Sequence, residues 1–393
     1  MISLRRFILA AVAVAGAVNA QCDKSVEIKS DSDVSALSSC NTIKGDVTIG
    51  EGLTTLSLPS VQTIEGDLTI KGAVGLTSVD CPMLRRIEGD FVMQGLTVLS
   101  SLSMPELIKV GTISWTTLPA LSQLTFTKGV TEASSVLITD TNLGSLTGIS
   151  LVTAKTFNIN NNKYLNVVDV ALGNVSEALS VEFNGKSLNC SFPRLVWATN
   201  ITIREAGQVS FPKLTNVNNS IAFIQNNFES VSFPELEKVG QSFAFNSNTK
   251  LTNVTANDLE SVGGTFQFAN NTKFQKLDGF RSLKTVGGSV DLSGTFTNAT
   301  LPELDDVRGG FNLQTTEEFS CAEFDKKKSS GVIKGDEYTC KGKLSEAKSS
   351  EGGASTSGGS GSGGSGEKKN AAAGRAGITT FALIAVVAAT MIL

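Results

Sequence analysis

The sequence predicts an all-β fold, a parallel β-solenoid of about 13 or 14 coils. Three observations carry that reading. An apolar–x–apolar motif recurs from Val47/Ile49 to Phe311/Leu313 at a mean interval of about 22 residues. A second block precedes many copies: Pro, Leu, an apolar residue and usually Gly, as in residues 58–70 (LPSVQTIEGDLTI) and 301–313 (LPELDDVRGGFNL). No long helical apolar period occurs between the two ends.

Val26/Ile28 opens the series one repeat before Val47. The copies then run Leu68/Ile70, Phe91/Met93, Ile113/Trp115, Val136/Ile138, Phe157/Ile159 and Val181/Phe183. They continue as Ile201/Ile203, Ile221/Phe223, Phe243/Phe245, Phe266/Phe268 and Val290/Leu292. Alternation means strands, because only a period of two puts both apolar residues on one face. Proline, which cannot donate within a ladder, marks a corner or strand start. The glycine before each strand is expected to supply a turn with φ > 0. One such unit cannot bury its own apolar face, so copies must stack, to roughly 65 Å at about 4.8 Å per coil. Of 21 phenylalanines, 17 lie between residues 151 and 330, mostly at repeat positions, as expected of a stacked core. Asn162, Asn226, Asn248 and Asn271 each follow the second apolar residue by three. They predict a partial internal asparagine ladder, with a polar binding groove as the alternative. Residues 128–135 and 171–179 lack the Pro block, which leaves the coil register open there.

The ends read as addresses. Residues 1–20 form a secretory signal peptide: Arg5 and Arg6 are basic, Phe7 to Val18 apolar, and Val18 and Ala20 small at the −3 and −1 positions. Cleavage leaves Gln21 or Cys22 at the mature start. Residues 21–344 are assigned to the solenoid and 345–370 to a Ser/Gly-rich flexible tether with too little apolar surface to fold. Residues 371–393 read as a propeptide exchanged for a GPI anchor at Asn370, with Gly364 as the alternative site. The apolar tail from Ile378 reaches only about 24 Å as a helix, short of the roughly 30 Å hydrocarbon core. The processed chain loses three arginines and no acids, so the formal charge of −4 becomes −7.

Seven acceptor sequons, Asn174, Asn189, Asn200, Asn218, Asn253, Asn270 and Asn298, predict a heavily N-glycosylated surface on an exported chain. Six cysteines suit an oxidising compartment. Cys22 and Cys40 bracket the first coil, and Cys321 and Cys340 the end of the last, so disulfides at both ends are expected as caps. Cys81 and Cys190 stand about five coils apart, too far to bridge, and are expected as buried free thiols.

The chain has no histidine, which removes Ser-His-Asp and Cys-His pairs, His-ligated zinc and the commonest general base. The outward residues between the apolar pairs read Thr48, Thr69, Val92, Ser114, Leu137, Asn158, Glu182, Thr202, Ala222, Ala244, Gln267, Asp291 and Asn312. No acidic cluster builds across neighbouring coils, as a glycan-cleaving site needs. Walker loops, metal motifs and nucleophile elbows are absent from the sequence. No catalytic residue, cofactor or metal site is expected. The acidic balance argues against nucleic acid as a partner.

With strands such as IEGDLTI and VGGTFQF, their SLP or SFPEL blocks, terminal cysteines, tether and anchor signal, the chain resembles the fungal GPI-anchored cell-wall organisation family. That family includes extracellular-mutant and sporulation-specific proteins built on receptor L-domain, leucine-rich-repeat-like coils. The resemblance covers nearly the whole chain. It implies a non-enzymatic glycoprotein on the outer leaflet of the plasma membrane or in the wall. The implied role is cell-wall organisation and integrity, as scaffold or interaction surface for polysaccharide or mannoprotein. No residue-level assignment carries over. The alternatives are a glycan-remodelling enzyme on a β-helix and an adhesin or ligand receptor.

Overall fold

A computed structural model describes residues 21–350. The signal segment, the chain from 351 onward, and both anchor candidates, Asn370 and Gly364, lie outside the described residues. Within them the chain winds into a β-solenoid of about 13 turns, with about 22 residues per turn. Strand Val26–Ile28 pairs in parallel with Val47–Ile49, and that with Leu68–Lys71. The ladder continues turn by turn to Phe311–Thr315 and Tyr338–Lys341. Parallel pairing keeps equivalent residues in register although the turns differ by a few residues in length, so Phe223, Phe245 and Phe268 form one column.

A second side is built from two-residue strands such as Lys238–Val239 and Ser261–Val262. A third carries short separate sheets, among them Thr55–Ser57 with Ser78–Asp80 and Asn189–Ser191 with Gln208–Ser210. In the middle turns the corner between the first two sides is bridged by long strands, Lys109–Leu118, Thr153–Asn160 and Asn174–Glu182. Register slips at Val110/Thr112 and Ala154/Thr156 absorb the bend. Both segments without the Pro block therefore have a defined place: Val130 bridges Ile149, and Asn174 pairs with Thr153.

The core is one continuous apolar column inside the coil. Stacked phenylalanines fill its second half, with ring centroids 4.7 Å apart for Phe223–Phe245 and 5.0 Å for Phe245–Phe268. Each buried ring is worth about 1.5–3 kcal/mol of transfer free energy. The residue before proline also points inward: Leu58, Cys81, Met104, Phe192, Phe211, Phe233 and Leu301 are all buried.

The structure corrects two expectations. In the turn after Ile159 the inward pair is Leu179/Val181, aligned with Phe157/Ile159, and not Val181/Phe183. Phe183 instead lies beyond the strand at φ 55°, 44% exposed. The outward residue of that turn is therefore Ser180. The pre-strand glycines do not supply positive φ. They are required because successive turns touch there: a Cβ on Gly263 would lie 2.1 Å from the Gly240 carbonyl oxygen, and one on Gly287 2.3 Å from that of Gly263. Positive φ occurs two residues beyond the second inward residue, at Gly72, Gly95, Thr117, Asp140, Asn161, Phe183, Glu205, Gln225, Ser247 and Asn270, one per turn at the same corner.

The two ends are closed differently from the turns between them. Helix Asp31–Ala36 lies over the first turn, with the Asp33 carboxylate accepting from the Lys29 and Ser30 backbone N–H groups, which lowers its pKa. Helix Ala322–Ser329 lies at the last turn, where Phe324 packs against Phe311 at 4.7 Å. Disulfides Cys22–Cys40 and Cys321–Cys340 hold these ends, with Cα separations of 5.6 and 5.9 Å.

Candidate interaction face

Residues between and after each inward pair project from the main sheet in two rows. The first row runs Thr48, Thr69, Val92, Ser114, Leu137, Asn158, Ser180, Thr202, Ala222, Ala244, Gln267, Asp291, Asn312. The second includes Gln94, Thr116, Thr139, Asn160, Glu182, Arg204, Ile224, Asn246, Ala269, Ser293 and Gln314. Hydroxyls and amides dominate, and they bond to one another across turns. Thr139 donates to Asn160, and Asn160 Nδ2 donates to Asn158 Oδ1 at 2.7 Å. Arg204 Nε lies 2.7 Å from Glu182 Oε2, while its guanidinium sits 5.7 Å from the Phe183 ring centroid.

Towards the end of the solenoid the same rows carry a closed cluster. Asp291 is fully buried and accepts from Gln267 Nε2 at 2.9 Å and Asn312 Nδ2 at 2.8 Å. Asn246 Nδ2 donates to Gln267 Oε1 at 2.9 Å, and Gln314 Nε2 to Asn312 Oδ1 at 2.9 Å. Residues 348–350, from the stretch expected to begin the tether, lie against it. Ser349 Oγ donates to Asp291, Ser350 N–H donates to Asp291 Oδ1 at 3.2 Å, and Asn312 Nδ2 reaches the Lys348 carbonyl at 2.9 Å. The chain's described contacts with the solenoid thus run past residue 344. Nothing in a Ser/Lys-rich sequence marks this stretch as docked.

None of the seven sequon asparagines falls in either row. Asn189, Asn253 and Asn298 open strands on the third side and are exposed. Asn174 opens a long strand at its second-side end and is half-buried. Asn200 and Asn218 lie at the corner after Trp197–Ala198 and Asn216–Val217, and Asn270 at the positive-φ corner.

The asparagines three residues beyond the strand pair are internal. Asn226 N–H donates to Asn248 Oδ1 at 2.8 Å and Asn248 N–H to Asn271 Oδ1 at 2.9 Å, while each side-chain amide also donates to a carbonyl of the preceding turn. A second run joins Thr141, Asn162 and Asn184, with Asn162 N–H donating to Asn184 Oδ1 at 3.0 Å. Asn184 is the member the sequence reading missed. Taking Leu179/Val181 as the inward pair would have found it, since it follows Val181 by three. Ala206 stands between the two runs and donates its N–H to Asn226 Oδ1 at 2.9 Å. All five amides are buried, which leaves none of them for a groove.

Cys81 and Cys190 are buried outside any disulfide. Cys190 sits in the inward column between Val168 and Val209, and Cys81 takes the pre-proline core position. Burial pushes both thiols up to about 12, with the neighbouring Asp80 charge adding at Cys81. Their place is that of packing side chains, far from thiolate reactivity. Among the described residues, no three His, Cys, Asp or Glu side chains converge as a metal would require. Two shallow recesses open on the described surface, one beside Gln21 and Leu37 and one between Asn257, Arg281 and Pro302.

No family model and no solved structure matches the chain. Curated relatives do. It is 40% identical over 342 residues to protein ecm33 of Aspergillus fumigatus, covering 86% of this chain and 85% of that protein. It is 36% identical over 350 residues to a cell surface GPI-anchored protein of Arthroderma benhamiae, covering 88% and 90%. Cell wall mannoprotein PST1 of Saccharomyces cerevisiae is 36% identical over 316 residues, covering 80% of this chain and 71% of its own. Identity of 36–40% over most of its length places this chain of in-register coils in the ecm33/PST1 family of fungal cell-surface and cell-wall proteins.

Proposed function

We propose that the chain is a GPI-anchored glycoprotein of the outer plasma membrane and wall, acting in cell-wall organisation as a non-enzymatic scaffold. Its partners are wall polysaccharide or mannoprotein, and its GPI lipid holds it to the outer leaflet. One observation carries this reading. The sequons occupy the second and third sides and the corners, whereas the two rows of the main sheet stay free of acceptor sites and carry hydroxyls and amides. Glycans on the former leave the latter open to a partner up to the turns that residues 348–350 cover. The names of the relatives, which specify the cell wall and a GPI anchor, support the same place of action.

The test is deletion of the gene followed by growth on wall-perturbing dyes. Heightened sensitivity, restored by the full chain, is expected, and unchanged sensitivity counts against the reading. Incubating the purified protein with β-glucan and chitin tests the non-enzymatic part. Turnover abolished by a single acidic substitution would overturn it.

A further inference from the structure

The Asp291 cluster has the chemistry of a hydroxyl-binding site that the chain fills with its own residues. Ser349 Oγ donates to the Asp291 carboxylate and is approached by Gln267 Nε2 at 3.4 Å. A carboxylate accepting from a hydroxyl while an amide donates to the same oxygen is how a sugar hydroxyl is held between acidic and amide side chains. Lys348 and Ser350 extend the imitation. A carbonyl takes the Asn312 amide, the Lys348 N–H meets Gln314 Oε1 at 3.2 Å, and the Ser350 N–H meets Asp291.

The fit is incomplete, and the gaps lie on the same face. Ser293 alternates with inward Leu292 and so projects beside Asp291; it is 1% exposed, yet its Oγ has no partner. Asn246 Oδ1, two turns earlier in that row, is also buried without a partner. An unsatisfied buried polar group costs about 1–3 kcal/mol, so a ligand that engages both atoms gains what the strap forgoes.

The geometry points to a saccharide site formed by Asn246, Gln267, Asp291, Ser293, Asn312 and Gln314, closed by residues 348–350 as a displaceable strap. Its ligand is a neutral, unbranched hexose chain. Amides and a hydroxyl supply both donors and acceptors for diols, and the single carboxylate disfavours an anionic polymer. The site deepens the scaffold reading, on which it rests, by naming the surface and the partner class.

The test uses the full mature glycoprotein and three probes: β-1,3-linked glucohexaose, β-1,4-linked glucohexaose and mannohexaose, titrated calorimetrically. Ser349→Ala with Ser350→Pro removes the strap's hydroxyl and N–H. This variant is expected to bind at least one hexaose about tenfold more tightly than the wild type, because the competent state is no longer occluded. Asp291→Ala in that background is expected to abolish binding. Ser293→Ala removes a buried hydroxyl that bonds to nothing in the free protein, so it should keep or raise the melting temperature and yet weaken binding several-fold. Equal affinity with and without the strap, no binding of any hexaose, or binding that survives both site substitutions would overturn the site. The scaffold reading is judged separately on dye sensitivity. Restored growth with no hexaose bound sinks the site alone, and hexaose binding with unchanged sensitivity sinks the reading alone.

Discussion

Replacing Asn248 with alanine should cost about 3–5 kcal/mol, because this one amide links three turns from inside. Its Oδ1 accepts from the Asn226 backbone N–H at 2.8 Å and from Asn226 Nδ2 at 3.0 Å. Its Nδ2 donates to the Phe223 carbonyl and to Asn271 Oδ1, each at 3.0 Å. After truncation Asn226 Nδ2 keeps the Ile203 carbonyl, and Asn271 Oδ1 keeps the Asn248 N–H. The Asn226 N–H is left orphaned in the interior. That orphan is worth about 1–3 kcal/mol and the other lost bonds about 1 kcal/mol apiece, before partial relaxation. Urea unfolding followed by tryptophan fluorescence measures the total. Amide exchange at Asn226 measures the local part without assuming a two-state transition, which long repeats need not obey. The double variant Asn226→Ala/Asn248→Ala should lose less than the sum of the singles by about 1–2 kcal/mol, because the two amides share bonds. A loss under about 0.5 kcal/mol with unchanged exchange at Asn226 would refute the ladder as a source of stability.

Three further outcomes are expected. Gly263→Ala should cut secreted yield and lower stability by several kcal/mol, since the methyl meets the Gly240 carbonyl at 2.1 Å; a loss under about 0.5 kcal/mol in denaturation would show that the turns can separate. Glu205→Gly should raise stability by about 0.5–1 kcal/mol by relieving a positive φ of 59°, and an unchanged denaturation midpoint would contradict the strain at that corner. Alkaline titration should expose the buried thiols. An unfolded chain releases these protons at the ordinary thiol value and the folded chain only near 12, so their support is complete below about pH 8 and drains away as pH rises. Each thiol should remove about 1.4 kcal/mol per pH unit above about pH 9. The Cys81→Ala/Cys190→Ala variant should show a shallower decline between pH 9 and 11, and parallel curves would argue against buried neutral thiols.

The alternation at Val47/Ile49 or Phe266/Phe268 made strand, face and stacking legible, because burial on one side of a strand imposes a period of two whatever the distant context. The misreading at Val181/Phe183 has a clear cause. Leu179, Val181 and Phe183 are all apolar and share one parity, so local pattern offers two registers two residues apart. Only pairing with Phe157 and Ile159 decides between them. The glycines were correctly found and wrongly explained. A sequence shows that a Cβ is absent, but not whether the neighbour it would strike is its own backbone or the next turn's. The strap at 348–350 was invisible for another reason: its contacts are hydrogen bonds made by residues of tether composition to partners tens of positions away.

The Cys321–Cys340 bridge also determines how tension travels. A pull entering from beyond Ser350 would first load the bonds of residues 348–350 to Asp291, Asn312 and Gln314, then those of Leu344 to Thr315 and Lys343 to Glu317, before it reached Lys341. At Cys340 the load passes through the sulfur–sulfur bond to Cys321 and skips the 18 residues between them. Helix Ala322–Ser329 and most of the strand Tyr338–Lys341 are thereby taken out of the loaded path. The covalent bridge thus delivers the load to the segment before Cys321 and to the strand Phe311–Thr315, and the cap between the two cysteines keeps its fold while that strand bears the pull.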